Sequence, residues 1–363
     1  VPTVSPASSL IDLGWDDGWE IALGAASGST GIPGRVSRID RGISTVLTAA
    51  GAVRVAAVSG LRLAVGDWVT LDAEATATGL WNLVAILPRR CAFRRVSDGA
   101  AAREQVVAAN IDTVLLVDAM DGQLSARHLE RYVALAWQSG AVPVIVVTKA
   151  DLATLEAVRS HVSAVAEVAS GVAVLVLSAA TGEGLDQLAP YLAPGRTVAL
   201  LGLSGAGKST LVNRLAGDQV LATGAVRGDG KGRHTTTYRE LVPIPGGAML
   251  IDTPGMRALS VATAAEGVAQ VFDDIEELAG SCEYPDCSHS TDHGCAIMAA
   301  VAAGRVSADR VASWRQLRLE TPAETPQAGR LRIVERNRKK ASAKAGRAQL
   351  RATQRKLASP PRP

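Results

Sequence analysis

Thr197-Val-Ala-Leu-Leu-Gly-Leu-Ser-Gly-Ala-Gly-Lys-Ser-Thr210 is the stretch that decides the fold. Its apolar start, Thr197 to Leu201, reads as a buried strand, and Ser209 to Ala216 reads as a helix. Between them Gly202 to Ser209 satisfies G-x-x-x-x-G-K-[ST], in the strand–loop–helix context that this motif requires. The glycines let the backbone bend until its N–H groups converge on phosphate oxygens at a helix N-terminus. The expected phosphate contacts are Gly202, Ser204, Gly205, Ala206, Gly207, Lys208, Ser209 and Thr210. Lys208 is expected to reach the β- and γ-phosphates, and Ser209 to hold Mg²⁺.

Outward from this loop, residues from about 106 to 265 alternate short Val- and Leu-rich runs with helical stretches. Ile111 to Val117, Val142 to Val147, Val172 to Leu177, Val198 to Leu203 and Ala248 to Ile251 are the strand candidates. Ser125 to Ser139 and Leu152 to Ala169 are helix candidates. The pattern predicts an α/β fold, a parallel sheet covered on both faces. His128 and His161 fall on the helical stretches and read as surface or packing residues.

Three loops join this scheme. Thr148-Lys-Ala-Asp151 ends one strand and is similar to the guanine-reading Asn-Lys-x-Asp element. A carboxylate at Asp151 accepts from guanine N1–H and the exocyclic amine together; adenine would leave it unpaired. Lys149 belongs to the same tetrapeptide. Ser178-Ala179 follows the next strand and reads as the loop that meets the base from its other side. Asp252-Thr-Pro-Gly255 fits D-x-x-G, with Asp252 on Mg²⁺ through water and the Gly255 N–H at the γ-phosphate. Between the phosphate loop and this element lies Gly232-Arg-His-Thr-Thr-Thr237. One of Thr235, Thr236 and Thr237 is expected to complete the Mg²⁺ shell, Thr236 being preferred.

Before this domain, residues 31 to about 95 alternate apolar and polar positions between glycines, as in a small Greek-key barrel of OB type or another β-module. Trp15 and Trp19 stand out in the preceding residues 1–30 as packing anchors. Beyond it, Cys282-x₄-Cys287-x-His289-x₅-Cys295 offers three thiolates and one imidazole, a closed set for tetrahedral structural zinc; His293 is an alternative fourth ligand. Cys91 reads as an inert buried thiol. Two helices, Ala296 to Ala303 and Ala308 to Glu320, precede a linker and a basic tail.

The whole chain, 363 residues with 47% apolar and 3% aromatic side chains, is long enough for two or three domains whose cores rely on small residues. Its net charge of +3 is uneven: twelve Lys and Arg against Glu335 alone give residues 327–363 a charge of +11, leaving about −8 elsewhere. A polyanionic partner such as RNA is implied. No apolar run of 18 residues suggests a membrane span, and no export signal is apparent, so the expected location is the cytoplasm.

The base-reading elements here precede the phosphate loop, whereas ordinary small GTPases place them last. That permuted order, the Gly-Arg-His-Thr-Thr-Thr loop, the preceding barrel and the Cys/His cluster together resemble the ribosome small subunit-dependent GTPase A family (RsgA, also called YjeQ). The resemblance covers roughly residues 31 to 320. It implies an OB-fold-like RNA-binding barrel over 31–95, a circularly permuted GTPase domain over 96–265 and a zinc-binding helical domain over 266–325, while patterning and charge set apart a 1–30 extension and a basic tail, expected to lack fixed structure, over 326–363. It also implies GTP and GDP as ligands, the small ribosomal subunit and its rRNA as partners, a monomer, and a role in late subunit maturation. It favours His289 over His293 as the zinc ligand.

Thr148 departs from the family's Asn, and the loss of an amide brace predicts weaker nucleotide affinity with guanine choice retained. His293 stands where the family often has Pro. Met256 occupies the place of the water-orienting Gln of Ras-like enzymes, so unaided turnover is expected to be slow. His234 is the nearest polar candidate for catalysis, and the resemblance points to the same residue; an RNA contact is the other reading. The competing functions are a P-loop ATPase or small-molecule kinase, and an RNA-binding module whose GTP site only regulates.

Overall fold

A computed structural model describes residues 9–27, 31–40, 42–58, 60–96, 104–122, 124–217, 240–252, 264–290 and 292–321. All belong to the unit Val1–Thr321; the second unit, Pro322–Pro363, which contains the expected basic tail, lies outside the described residues.

The first 27 residues contain a helix that the weak patterning did not announce, α1 (Asp17–Ser27). It leads into β1 (Ile32–Ile39), β2 (Ile43–Thr48), β3 (Gly51–Ala56), β4 (Trp68–Leu71) and β5 (Leu83–Ile86). β1 pairs antiparallel with both β2 and β4, β2 with β3, and β4 with β5. Closure comes from Trp81, just ahead of β5: its N–H donates to the Arg54 carbonyl at 2.8 Å and its carbonyl accepts from Ala56 N–H at 3.3 Å, a parallel bridge to β3. The order 1-2-3-5-4-1 is that of the OB-fold barrel, filled by Val36, Val46, Val55, Val69, Leu71 and Leu83. Trp15 and Trp19 pack on Trp68, with ring centroids 4.7 and 6.0 Å away.

The hairpin of β6 (Ala92–Val96) and β7 (Glu104–Ala109) spans the expected junction between residues 95 and 96, and Ala108 bridges to Val65 beside the barrel. The α/β elements follow as β8 (Thr113–Ala119), α2 (Ala126–Ser139), β9 (Val142–Thr148), α3 (Leu155–Val168), β10 (Ala173–Val176), β11 (Thr197–Gly202), α4 (Lys208–Ala216), β12 (Glu240–Pro243) and β13 (Met249–Asp252). The sheet runs β10-β9-β8-β11-β13-β12, all parallel except β12, and Arg38 pairs with Glu240 to connect β12 to β1. Alternation along β8 places Val114 and Leu116 against α2 and α3, and Leu115 and Val117 against Leu211 of α4. Both faces are therefore covered, as a Val-rich parallel sheet requires.

Four helices complete the described chain: α5 (Ala265–Val271), α6 (Asp273–Ala279), α7 (Ala296–Ala302) and α8 (Ala308–Glu320). Phe272 and Trp314 are buried in the core shared with α2, each contributing about 1.5–3 kcal/mol by leaving water.

Two buried ions tie the parts together. Arg35 of β1 donates to the carbonyls of Leu13 and Asn110 (3.0 Å) and to Thr197 Oγ1 (2.7 Å), spanning the N-terminal segment, the barrel and the base of β11. Desolvation lowers it to about 10, with Asp112 and Asp67 opposing, so it stays charged at neutral pH. Glu130 of α2 is raised by desolvation, while the Ser313 hydroxyl and the Arg310 guanidinium, which donate to it from α8, oppose the rise. Arg310 also donates to the carbonyls of Val168 (3.0 Å) and Val271 (2.8 Å).

α5 crosses α2 backbone to backbone: a Cβ on Gly267 would lie 1.9 Å from the Ala134 carbonyl oxygen. Gly→Ala inside a free helix stabilises by about 0.5–1 kcal/mol. Here Gly267→Ala is expected to destabilise by about 1–3 kcal/mol through overpacking, read from the urea midpoint. A midpoint raised or unchanged contradicts the close crossing.

Candidate functional site

Gly202 closes β11 at φ 155, and a Cβ there would meet the Val117 carbonyl oxygen at 2.2 Å, so only glycine lets β11 lie this close to β8. Gly207, at φ 85, caps α4. Of the loop residues Ser204, Gly205, Ser209 and Thr210 are exposed, Ala206 is buried, and Gly207 and Lys208 lie between. The Lys208 ammonium folds back onto the carbonyls of Gly202 (2.9 Å) and Leu203 (2.6 Å). A cation over a turn whose helix N-terminus leaves N–H groups unpaired is equipped to receive phosphate.

The parallel register brings the two loops expected to read the base to the same edge. Ala119 lies beside Thr148, Val147 beside Val176, and Val117 beside Gly202. Thr148 is buried, and its hydroxyl reaches the carbonyls of Ala206 in the phosphate loop (2.8 Å) and Asp118 at the end of β8 (3.1 Å). A hydroxyl has one proton for these two acceptors. The Thr148 hydroxyl can therefore donate to one of the two at a time, the shorter contact being the one to the phosphate loop, a link that the tetrapeptide alone did not reveal. Gly207 packs on the same side chain: its Cβ would sit 3.3 Å from Thr148 Oγ1.

Lys149 adopts the left-handed region (φ 59), and Asp151 stands exposed in the 3-10 turn Ala150–Leu152. Ala150 N–H donates to the Leu177 carbonyl at 3.4 Å, linking this turn to the next loop. There Ser178 is fully buried, its Oγ accepting from Thr181 N–H at 3.1 Å, and Ala179 follows at the rim. His161 of α3, read from sequence as a surface or packing residue, pairs through Nε2 with Asp118 at 2.6 Å. His128 meets Ser125 at 2.7 Å on an exposed helix start. Cys91 is buried beside Ser139, and desolvation pushes its thiol up.

Asp252 ends β13, next to the Ile251–Ala199 pair and so on the edge from which the phosphate loop leaves. His234, Thr235, Thr236, Thr237, Gly255 and Met256 lie outside the described residues.

The second constellation is metal-like. Cys282, Cys287, His289 and Cys295 bring their ligand atoms within 4.8 Å of one another, with Cys282 Sγ 3.4 Å from His289 Nδ1. A tetrahedron with metal–sulfur bonds of about 2.3 Å has edges of roughly 3.8 Å, so the donors fit a closed four-coordinate ion. Backbone N–H groups of His289 and Ala296 donate to Cys287 and Cys282, each at 3.4 Å. His289 sits at φ 58, and its ring lies 5.5 Å from that of Trp314; Trp314 was not singled out in the sequence. Thiolates this close repel one another unless a cation lies between them. Desolvation, together with Cys295 and Cys282, pushes Cys287 up to about 12, and desolvation, aided by Arg318, holds the His289 imidazole below its usual value. His293 is exposed and outside the set.

The description "RsgA GTPase" belongs to the family model that matches residues 86–262. The small ribosomal subunit biogenesis GTPase RsgA of Streptomyces coelicolor is 43% identical over 86% of this chain and 87% of its own. The protein of that name from Methanosarcina acetivorans is 41% identical over 84% of this chain and 83% of its own. Among solved structures, YjeQ from Thermotoga maritima superposes with a TM-score of 0.59 at 23% identity, covering 79% of this chain and 96% of that one. YloQ, a circularly permuted GTPase, gives 0.56 at 20% identity, covering 82% and 99%.

Metal analysis of the purified chain is expected to find one bound divalent ion, and Cys287→Ser to abolish it. The variant's melting temperature falls by about 2–4 °C per kcal/mol of lost stability. Acid is expected to release the ion, since protons compete for the thiolates. Undiminished metal content in Cys287→Ser contradicts the ligand set.

Proposed function

The chain belongs to the RsgA GTPase family, and on that premise we propose that it binds GTP and hydrolyses it on the small ribosomal subunit during late maturation. The observation that carries this reading is the Thr148 hydroxyl, which joins the base-reading loop to the phosphate loop at 2.8 Å. In the proposed complex Asp151 accepts from guanine, Lys149 and Ala179 flank the base, and Ser178 shapes the second loop. Gly202 to Thr210 hold the phosphates, with Lys208 leaving its carbonyl partners for them. Gly255 N–H meets the γ-phosphate. Mg²⁺, held by Ser209, Thr236 and Asp252, would neutralise charge on the phosphates. His234 is assigned the role of orienting the attacking water, because Met256 offers no hydrogen bond.

Zinc is the ion assigned to Cys282, Cys287, His289 and Cys295, on the strength of the closed Cys₃His donor set. It would be structural, since no ligand position remains for a substrate. The retention of Thr148 as a brace favours near-normal guanine affinity over the weakened binding that the missing Asn alone suggests. rRNA is the proposed polyanionic partner of the barrel and of the +11 segment 327–363. The GTP-bound chain is proposed to favour the subunit and the GDP-bound chain to leave it, the link running from Asp252 through the segment before α5. A cytoplasmic monomer suits this role; among the described residues no helix is long and apolar enough to cross a membrane.

The test is GTP turnover by the purified chain with and without small ribosomal subunits. Slow unaided hydrolysis is expected to rise at least about tenfold, a modest share of the ~10³–10⁵ gained when a partner completes other GTPase sites. His234→Ala should lose that stimulation while still binding GTP. Turnover unchanged by subunits contradicts the proposal.

A further inference from the structure

We propose that Asp121 is a positioning residue of the nucleotide site, acting through Lys149; the inference rests on reading Thr148–Asp151 as the base-reading loop. Asp121 lies two residues past the end of β8. Met120 N–H donates to the Thr148 carbonyl at 3.1 Å, carrying the β8–β9 ladder one step beyond the strands, so that the next residues on each side face one another. There the Lys149 ammonium meets Asp121 Oδ2 at 2.5 Å.

Stability does not account for this pair. Asp121 is half exposed and Lys149 about a quarter exposed, and exposed ion pairs add little to folding. Yet Lys149 occupies a left-handed backbone conformation, φ 59, which a side-chain-bearing residue adopts only where its surroundings hold it. That backbone turns the lysine stem back toward the β8 end instead of letting it follow the 3-10 turn that carries Asp151. A lysine stem free in water has many rotamers, and fixing them opposes ligand binding. With its ammonium already parked on Asp121, the four-methylene stem is preset as an apolar strip on the loop whose Asp151, two residues on, is assigned to the base. The ligand it suits is a flat purine with N–H donors on one edge. The ammonium need not touch the ligand for the stem to be placed.

The measurement is equilibrium binding of a fluorescent N-methylanthraniloyl-GDP to the full chain, with melting temperature as a control. Asp121→Ala is expected to weaken binding about three- to tenfold, the range for losing one pre-ordered side chain, without lowering the melting temperature. Asp121→Glu should recover part of the loss. Lys149→Met keeps an apolar stem but cannot be tethered, so Asp121→Ala in that background should add nothing further. Wild-type affinity in Asp121→Ala, or losses that add, would overturn the role. A wild-type chain that binds GDP no better than ADP overturns the base-reading assignment itself, and this inference with it.

Discussion

The site depends on one constraint, the parallel hydrogen-bond register of β9, β8 and β11. Once Ala119 lies beside Thr148 and Val117 beside Gly202, every loop leaving those strands emerges at one edge of the sheet. Ligand sites of open α/β sheets form at that edge. The register is local to each strand pair and is indifferent to the order in which the chain visits them. That is why permuted connectivity leaves the phosphate loop adjacent to the loops proposed to read the base. The close approach of β11 to β8 also dictates a residue: no side chain fits at position 202.

The pieces around the sheet are joined by buried charge as well as by apolar packing. Arg35 has neutral acceptors on three parts of the chain, and Glu130 is answered by Ser313 and Arg310. Removing one partner of such a set leaves a buried charge or donor uncompensated, which is far more damaging than loss of a surface pair. α8, whose Trp314 lies against His289 of the Cys/His cluster, is thereby fixed to α2 and to the end of α3. Trp314 extends the connection from His289 to Glu276, to which its Nε1 donates at 2.9 Å.

Much of this was legible in the sequence, for physical reasons that differ by element. The five parallel-sheet strands and the helices α2, α3, α4, α7 and α8 announced themselves by apolar runs and period, and the phosphate loop by its glycines. The Cys/His spacing gave the metal-like cluster because its ligands lie close in the chain. α1 was missed because Asp17-Gly-Trp-Glu-Ile-Ala-Leu-Gly has glycines and little periodicity, although its tryptophan was seen as an anchor. Barrel closure through Trp81, the Thr148 brace, the Asp118–His161 pair and the Lys149–Asp121 pair were not legible. Each joins residues separated by 25 or more positions, and only the sheet register brings them together.

The most direct test of the central claim, that Asp151 reads guanine at this edge, is a base-swap measurement. Asparagine in place of Asp151 exchanges a two-acceptor carboxylate for an amide that donates as well as accepts. Xanthine differs from guanine by carrying a carbonyl where guanine carries the exocyclic amine. Competition binding of GDP and xanthosine diphosphate to wild type and Asp151→Asn should show the preference reversing, with GDP weakened and the xanthine nucleotide strengthened. Equal GDP affinity in both proteins would mean that the base is read elsewhere.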